Sequence, residues 1–335
     1  MCRKSFVCSA NDMFIVLANI LNTLSYNFIL VMEFAKHVLL DPAVYVRPEL
    51  HLNKFQPNQT RKHEPNPPAE VETKMFSDEI LFHYCLLSLF LITPPTILSL
   101  LFLTAPYGKH RRPGWGPTIP PPLAWCLMES PTVWLTLLLF PHGKNHTNAR
   151  ALILISPFLL HYLHRTIVYP LKIFLKTPST KIEKRSGFPV SIAMTAFGFN
   201  LLNAYLQARW VSEYADLAGD GWFWLRLGAG VVVFCGGAAA NIWSDNLLMG
   251  LKEGGSGYKI PRGGLFEWVS CPNYLGEILE WLGWALMTWS WAGLGFFVFT
   301  CANLVPRAGQ SHKWYMEKFG ENYPTSRKAV IPFVY

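Results

Sequence analysis

An all-α integral membrane protein with about seven transmembrane helices is the architecture this sequence predicts, and three observations predict it. Charged residues make up 15% of the 335, well below the roughly 25% of soluble domains. Hydrophobic residues reach 51% and aromatic residues 15%, and the mean hydropathy is +0.22. Apolar stretches near the ~20 residues that cross a bilayer core as helix recur along the chain. This composition excludes a soluble globular enzyme and a disordered chain. The seven cysteines form no CxxC pair, which excludes a zinc ribbon and a disulfide scaffold and leaves reduced thiols packed as small hydrophobes.

Taken in order, the apolar stretches cover 81–104, 123–140, 151–175, 190–210, 222–243, 274–289 and 291–305. The last two are short and divided at Trp289-Ser290-Trp291, so they read as a tight helical hairpin or as one bent element. Pro94, Pro95, Pro131 and Pro170 lie in or beside these stretches, where each removes a helix hydrogen bond. Upstream, Phe14 to Met32 is apolar but contains Asn19, Asn22, Ser25 and Asn27, and reads as an extra N-terminal span or a signal anchor. Residues 41–76 are polar and Pro-rich, as a solvated linker would be. Asn58-Gln59-Thr60 and Asn145-His146-Thr147 match the glycosylation sequon, a triplet that often arises by chance.

The net charge of +8 is carried by loops and tail. Lys109-His110-Arg111-Arg112 follows the first stretch and reads as an anchor near anionic headgroups. Lys176 to Arg185 holds three Lys and one Arg. The tail 306–335 sets Arg307, Lys313, Lys318, Arg327 and Lys328 against Glu317 and Glu321. The positive-inside bias puts that tail in the cytosol.

Ionisable and polar groups inside apolar spans are the informative residues, because lipid makes them costly. Glu129 lies among Trp125, Leu127, Met128 and Val133. A carboxyl group there is expected in its neutral form, which can donate a hydrogen bond as a carboxylate cannot. The alternative is a carboxylate paired with an Arg from a neighbouring helix. His161-Tyr162-Leu163-His164-Arg165 follows. His161 shares a helical face with His164 and Arg165, but two histidines without a third ligand make a weak metal site, and no metal is assigned. Polar contacts between helices suit those histidines better. Tyr162 offers a phenol donor, or a packed ring with a satisfied hydroxyl.

Asn241 and Asp245 end a later apolar stretch, and Lys252 lies seven residues beyond the Asp. Glycine-rich turns at 254–257 and 263–264 precede Ser270-Cys271-Pro272-Asn273-Tyr274-Leu275-Gly276-Glu277, with Glu280 one helical turn later. Neither GxGxxG after a strand nor GxxxxGK[ST] occurs, so Rossmann and P-loop binding are unavailable. Two such turns beside a helix start nevertheless admit a phosphate-bearing ligand.

The run from Tyr258 to Glu277, YKIPRGGLFEWVSCPNYLGE, resembles the signature of the steroid 5α-reductases, the 3-oxo-5α-steroid 4-dehydrogenase family. The ending Arg327 to Tyr335, the element Met128-Glu129-Ser130-Pro131, the run His161 to Thr166 and the run Ser311 to Tyr315 are similar to that family as well. The likeness covers about Met75 to Tyr335 and is greatest to the plant branch serving brassinosteroid synthesis; residues 1–74 have no counterpart. It implies a seven-helix, multi-pass enzyme of the endoplasmic reticulum membrane that uses NADPH to saturate the 4,5 double bond of a 3-oxo-Δ4-steroid entering from the bilayer. It places the catalytic residues on Glu129 and Tyr162, as donors to the 3-oxo oxygen. It places nucleotide binding on Asn241, Asp245, Lys252, Tyr258, Lys259, Asn273, Glu277, Arg307, His312, Tyr315 and Arg327, with the basic loop Lys176 to Arg185 as a further candidate for the 2′-phosphate. Lys252 and Lys259 stand where animal members carry Arg, which keeps charge but loses the bidentate fork. Ser311 stands where animal members carry His, leaving His312 alone there.

The implied organisation is an N-terminal extension over 1–76, helices with the substrate-polarising residues over 77–185, and an NADPH-binding domain over 186–335. The competing expectations are a related membrane reductase acting on enoyl-CoA or polyprenol, a non-catalytic sterol-binding relative, and, more distantly, an isoprenylcysteine methyltransferase. Met128 to Pro131 favours the steroid branch.

Overall fold

The computed structural model describes residues 69–176, 187–253 and 257–335, and of 69–77 and 252–253 the backbone alone. The segment Phe14–Met32, the linker up to residue 68, the Asn58 sequon, the basic loop beyond Lys176 and the turn 254–256 lie outside the described residues.

The described residues form eight α-helices. They are α1 (Ala69–Phe102), α2 (Pro121–Leu139), α3 (Ala149–Leu163), α4 (Tyr169–Leu175), α5 (Val190–Arg209), α6 (Phe223–Glu253), α7 (Pro272–Thr288) and α8 (Trp291–Phe319). A π-helical turn, His164–Val168, joins α3 to α4, and a second, Trp210–Tyr214, ends α5. A two-residue β-ribbon pairs Thr118–Ile119 with Phe188–Pro189, antiparallel. α1 begins inside the stretch read as linker, because Ala69 to Phe76 contains neither Pro nor Gly to stop a helix.

All seven predicted stretches are helical. Among the described residues four segments are long and apolar enough to cross a membrane: Asp78–Phe102, Pro121–His142, Ala149–Leu175 and Phe223–Leu251. The other three fall outside that measure for different reasons. α7 has only 17 residues. α5 buries Asn200, Asn203, Gln207 and Arg209, which lower its hydropathy. α8 runs on past residue 305 into a polar half. Trp289, at φ 46°, closes α7, and Ser290 Oγ accepts the Gly293 N–H at 2.9 Å to start α8, so the junction is a hairpin.

The prolines create needs that neighbouring hydroxyls meet. Pro131 leaves the Leu127 carbonyl without its helical donor, and Ser130 Oγ donates to that carbonyl at 2.9 Å. Ser156 does the same for Ile153 O, at 2.8 Å, beside Pro157. Both Ser-Pro pairs lie near the polar residues of their helices.

The most extensive packing is between α6 and α7, and glycine makes it close. A Cβ on Gly276 would lie 2.5 Å from Asn241 N, one on Gly237 2.5 Å from Glu280 N, and one on Gly283 2.6 Å from Gly230 O. These atoms are backbone and cannot turn aside, as at small-residue helix crossings in membranes. Gly276→Ala should therefore separate the two helices and lower the unfolding free energy by about 1–3 kcal/mol, read as a fall in Tm.

Asp78 ties α1 to α5. Its carboxylate accepts from Tyr205 OH at 2.9 Å, Tyr214 OH at 2.8 Å and Arg209 Nε at 3.2 Å, and pairs with Arg209 Nη2. Trp222, Trp224, Trp289 and Trp291 are exposed at one end of the molecule, where Arg226 lies over the Trp289 ring. Exposed tryptophans grouped in this way suit a membrane–water interface.

Candidate active site

α5 positions Glu129 and Tyr162 from one face. Its Asn200 and Asn203 stand three residues apart, about one helical turn, or ~4.5 Å along the axis. Asn200 Nδ2 donates to Glu129 Oε2 of α2 at 3.0 Å and to Met128 O at 2.6 Å. Asn203 Nδ2 donates to the Tyr162 oxygen of α3 at 3.3 Å. The Tyr162 ring lies against Trp281 of α7, with centroids 5.5 Å apart and planes at 24°. Among the described residues Glu129 has no ion pair, so the carboxyl and the phenol are both held by neutral amides.

Arg165 lies nearby on the π-turn and is engaged elsewhere. Its Nη1 meets Asp245 Oδ2 of α6 at 3.0 Å, and the rings of Trp125 and Tyr169 lie 4.6 and 4.5 Å from its guanidinium. The π-turn itself has a local cause: Pro170 offers no N–H, and the Tyr169 N–H reaches back five residues to His164 O. His161 Nδ1 shares a 2.5 Å hydrogen bond with Glu280 Oε2 of α7. That pairing takes His161 into a contact between helices, while His164 is half-buried at the start of the turn.

The predicted nucleotide residues fall into three groups. Asn241, Asp245 and Asn273 form one network: Asn273 Nδ2 donates to Asp245 Oδ1 at 3.1 Å, and Asn241 Nδ2 donates to Asn273 O at 2.9 Å. Glu277 follows one turn along α7, within electrostatic reach of Arg165. Arg307 of α8 lies between the Tyr107 and Tyr274 rings, and its Nη1 donates to Asn303 Oδ1 at 3.0 Å. Among the described residues no carboxylate lies within ion-pair distance of it.

The second group, Tyr258 and Lys259, is exposed on the loop before α7, with Tyr258 edge-on to Trp314 at 4.8 Å. The third supports that loop from below. Arg327 is 1% exposed, donates to Pro261 O at 2.9 Å and meets Glu267 Oε2 at 3.3 Å. His312 Nδ1 is 2.6 Å from Ser270 Oγ, which is 2.6 Å from Tyr323 OH, and Tyr315 stacks on Tyr323 at 5.4 Å. The side chain of Lys252 lies outside the described ones.

The Gly263 N–H, donating at 2.6 Å, holds the Glu267 carboxyl below the usual carboxylate range, with help from Arg327 and Arg262 and against the cost of partial burial. The support that Glu267 gives the loop is complete above the ordinary Glu value and is lost as pH falls through the lower folded value.

Asn200, Asn203 and Gln207 are absent from the residues that motif and resemblance single out. Their signal was there: three amides at i, i+3 and i+7 on one face of an apolar helix.

The family described as 3-oxo-5-alpha-steroid 4-dehydrogenase matches residues 186–335. The steroid 5-alpha-reductase DET2 of Gossypium hirsutum is 61% identical over 263 residues, which are 78% of this chain and 100% of that protein. The protein of the same name from Arabidopsis thaliana is 61% identical over 262 residues, 77% of this chain and 98% of that one. The 3-oxo-5-alpha-steroid 4-dehydrogenase 1 of Rattus norvegicus is 40% identical over 248 residues, 71% of this chain and 90% of that one. With so much of both chains aligned, this protein belongs to the 3-oxo-5-alpha-steroid 4-dehydrogenase family.

Proposed function

We propose that this protein is a membrane-embedded, NADPH-dependent reductase that saturates the 4,5 double bond of 3-oxo-Δ4-steroids to give 5α-steroids, in brassinosteroid biosynthesis. The observation that carries the reading is the pair Glu129 and Tyr162, hydrogen-bonded to Asn200 and Asn203, which stand about one helical turn apart on α5. The names of the relatives point to the same substrate class.

Tyr162 and the neutral acid of Glu129 donate to the 3-oxo oxygen. Asn200 occupies Oε2 of Glu129, which leaves the acid proton to the other oxygen. Arg165 is paired with Asp245, so its charge does not force Glu129 to ionise. Both donors strengthen as negative charge grows on the ketone oxygen, so they lower the barrier more than they stabilise bound substrate. Protonation at C4 completes the reduction.

NADPH, when bound, supplies the hydride for C5. The residues at the Asp245 end suit an anionic dinucleotide: Arg307 lacks a carboxylate among the described residues, Lys259 is exposed, and the start of α7 lies beside Asn273. Asn241, Asp245, Asn273, Glu277, Arg307, Tyr258, Lys259 and Lys252 would hold the cofactor. Arg327, His312 and Tyr315 would act from beneath, by fixing the loop over it. On this reading all seven predicted helices span the endoplasmic reticulum membrane, the donors on 77–185 face a steroid arriving from the bilayer, and residues 186–335 hold NADPH near the cytosolic side with the tail.

Incubating membranes that contain the protein with NADPH and 3-oxo-Δ4-steroids should yield 5α-steroids by mass spectrometry, while enoyl-CoA and polyprenol remain unchanged. Absence of 5α-product from folded protein that binds sterol would reject the reading. Arg307→Ala should raise the KM for NADPH by about tenfold or more, the worth of a hydrogen bond to a charged group, and leave the steroid KM within about twofold. The opposite pattern would remove Arg307 from the cofactor site.

A further inference from the structure

Behind the Tyr162 hydroxyl runs a chain of hydrogen bonds whose sense is set at its far end. The indole Nε1–H of Trp284 can only donate, and it donates to Gln207 Oε1 at 2.9 Å. The Ala292 carbonyl can only accept, and it accepts from Gln207 Nε2 at 3.0 Å. These two partners allow the Gln207 amide one orientation, in which Nε2 also donates to Asn203 Oδ1 at 3.1 Å. With that oxygen engaged, Asn203 presents Nδ2 to the Tyr162 oxygen. Trp284, Gln207 and Asn203 are each 0% exposed and Tyr162 is 4% exposed, so water does not enter to reverse the order. The phenol oxygen is thereby an acceptor toward α5, and among the described residues its hydroxyl donates to none.

We propose that Asn203, Gln207 and Trp284 are positioning residues that commit Tyr162 to donating its proton to the substrate oxygen. The inference rests on Tyr162 being the donor of the proposed reaction. Were Asn203 free to turn over, its Oδ1 would take the phenol proton, and the site would lose a donor without losing a side chain.

Asn203→Asp and Asn203→Ala separate polarity from packing. Asp keeps the shape but offers the phenol an acceptor, whereas Ala leaves a cavity and the phenol proton free. Asn203→Asp should lower kcat by about 100-fold or more, the worth of an oxyanion donor. Asn203→Ala should lower it by about tenfold, the worth of an ordinary hydrogen bond. The KM for NADPH should stay within about twofold in both. In a Tyr162→Phe background the two substitutions should no longer differ. A packing role predicts the reverse order, and a direct effect of Asp charge on the steroid predicts a difference that persists without the phenol; either result overturns the proposal.

Trp284→Phe keeps an aromatic ring but removes the donor that fixes Gln207. It should lower kcat about tenfold with the KM for NADPH unchanged, and full activity would overturn the proposal even if Asn203→Asp fails to fold. Full kcat in Tyr162→Phe alone would reject the donor reading and this inference with it. A large Tyr162 effect with the reverse Asn203 order would reject the inference alone.

Discussion

Replacing Tyr162 with Phe lowers kcat by about 100- to 1000-fold and leaves the KM for NADPH within about twofold. The substitution removes one oxygen and keeps the ring that stacks on Trp281, so packing survives. What disappears is a donor aimed at an oxygen that becomes negative during the reaction. An interaction made mainly in the transition state is lost from kcat and kcat/KM together, while ground-state binding changes little. Asn203 also loses its acceptor, which adds the cost of one unpaired buried N–H. A rise in steroid KM at constant kcat would instead make Tyr162 a substrate-binding residue without a part in the chemistry.

Glu129→Leu removes nearly all activity, and Glu129→Gln retains a measurable part. Gln keeps an N–H donor and an oxygen for Asn200, so both the bond to the substrate and the bond to α5 survive in weakened form. Leu keeps the volume and loses both, and it leaves the Asn200 amide with Met128 O alone. The split tests the protonation state directly. A residue needed as a carboxylate would be lost equally in Gln and Leu, whereas a residue needed as a neutral donor is partly replaced by an amide. Equal full activity in both variants would remove Glu129 from the mechanism. Steady-state kcat with a 3-oxo-Δ4-steroid decides among these outcomes.

The helical positions were legible in the sequence because hydropathy is a local property. Glu129, His161 and Tyr162 drew notice for the same reason, as polar groups in apolar runs. What they touch was not legible. Asn200 is 71 residues from Glu129, and Glu280 is 119 from His161. Spacing along one helix says nothing about which helix packs against it. Arg327 shows the limit for charged residues: the resemblance places it among the nucleotide-binding residues and its charge is plain in the tail, but that its guanidinium is buried and donates to Pro261 O is visible only in the structure. Charge is visible in a sequence, but burial depends on how Trp268 to Cys271 pairs with Lys328 and Ala329, contacts made across nearly sixty residues. α8 extends beyond the predicted 305 because a helix continues in water where its apolar run ends, and hydropathy reports only the run.

A structure of the protein with the oxidised cofactor and a 3-oxo-Δ4-steroid shows whether the two donors share one ketone. The C3 oxygen should lie within hydrogen-bonding reach, about 2.6–3.2 Å, of both the Tyr162 hydroxyl and the Glu129 carboxyl. A steroid whose ketone meets neither group, or meets Glu129 through a cation, would overturn the mechanism.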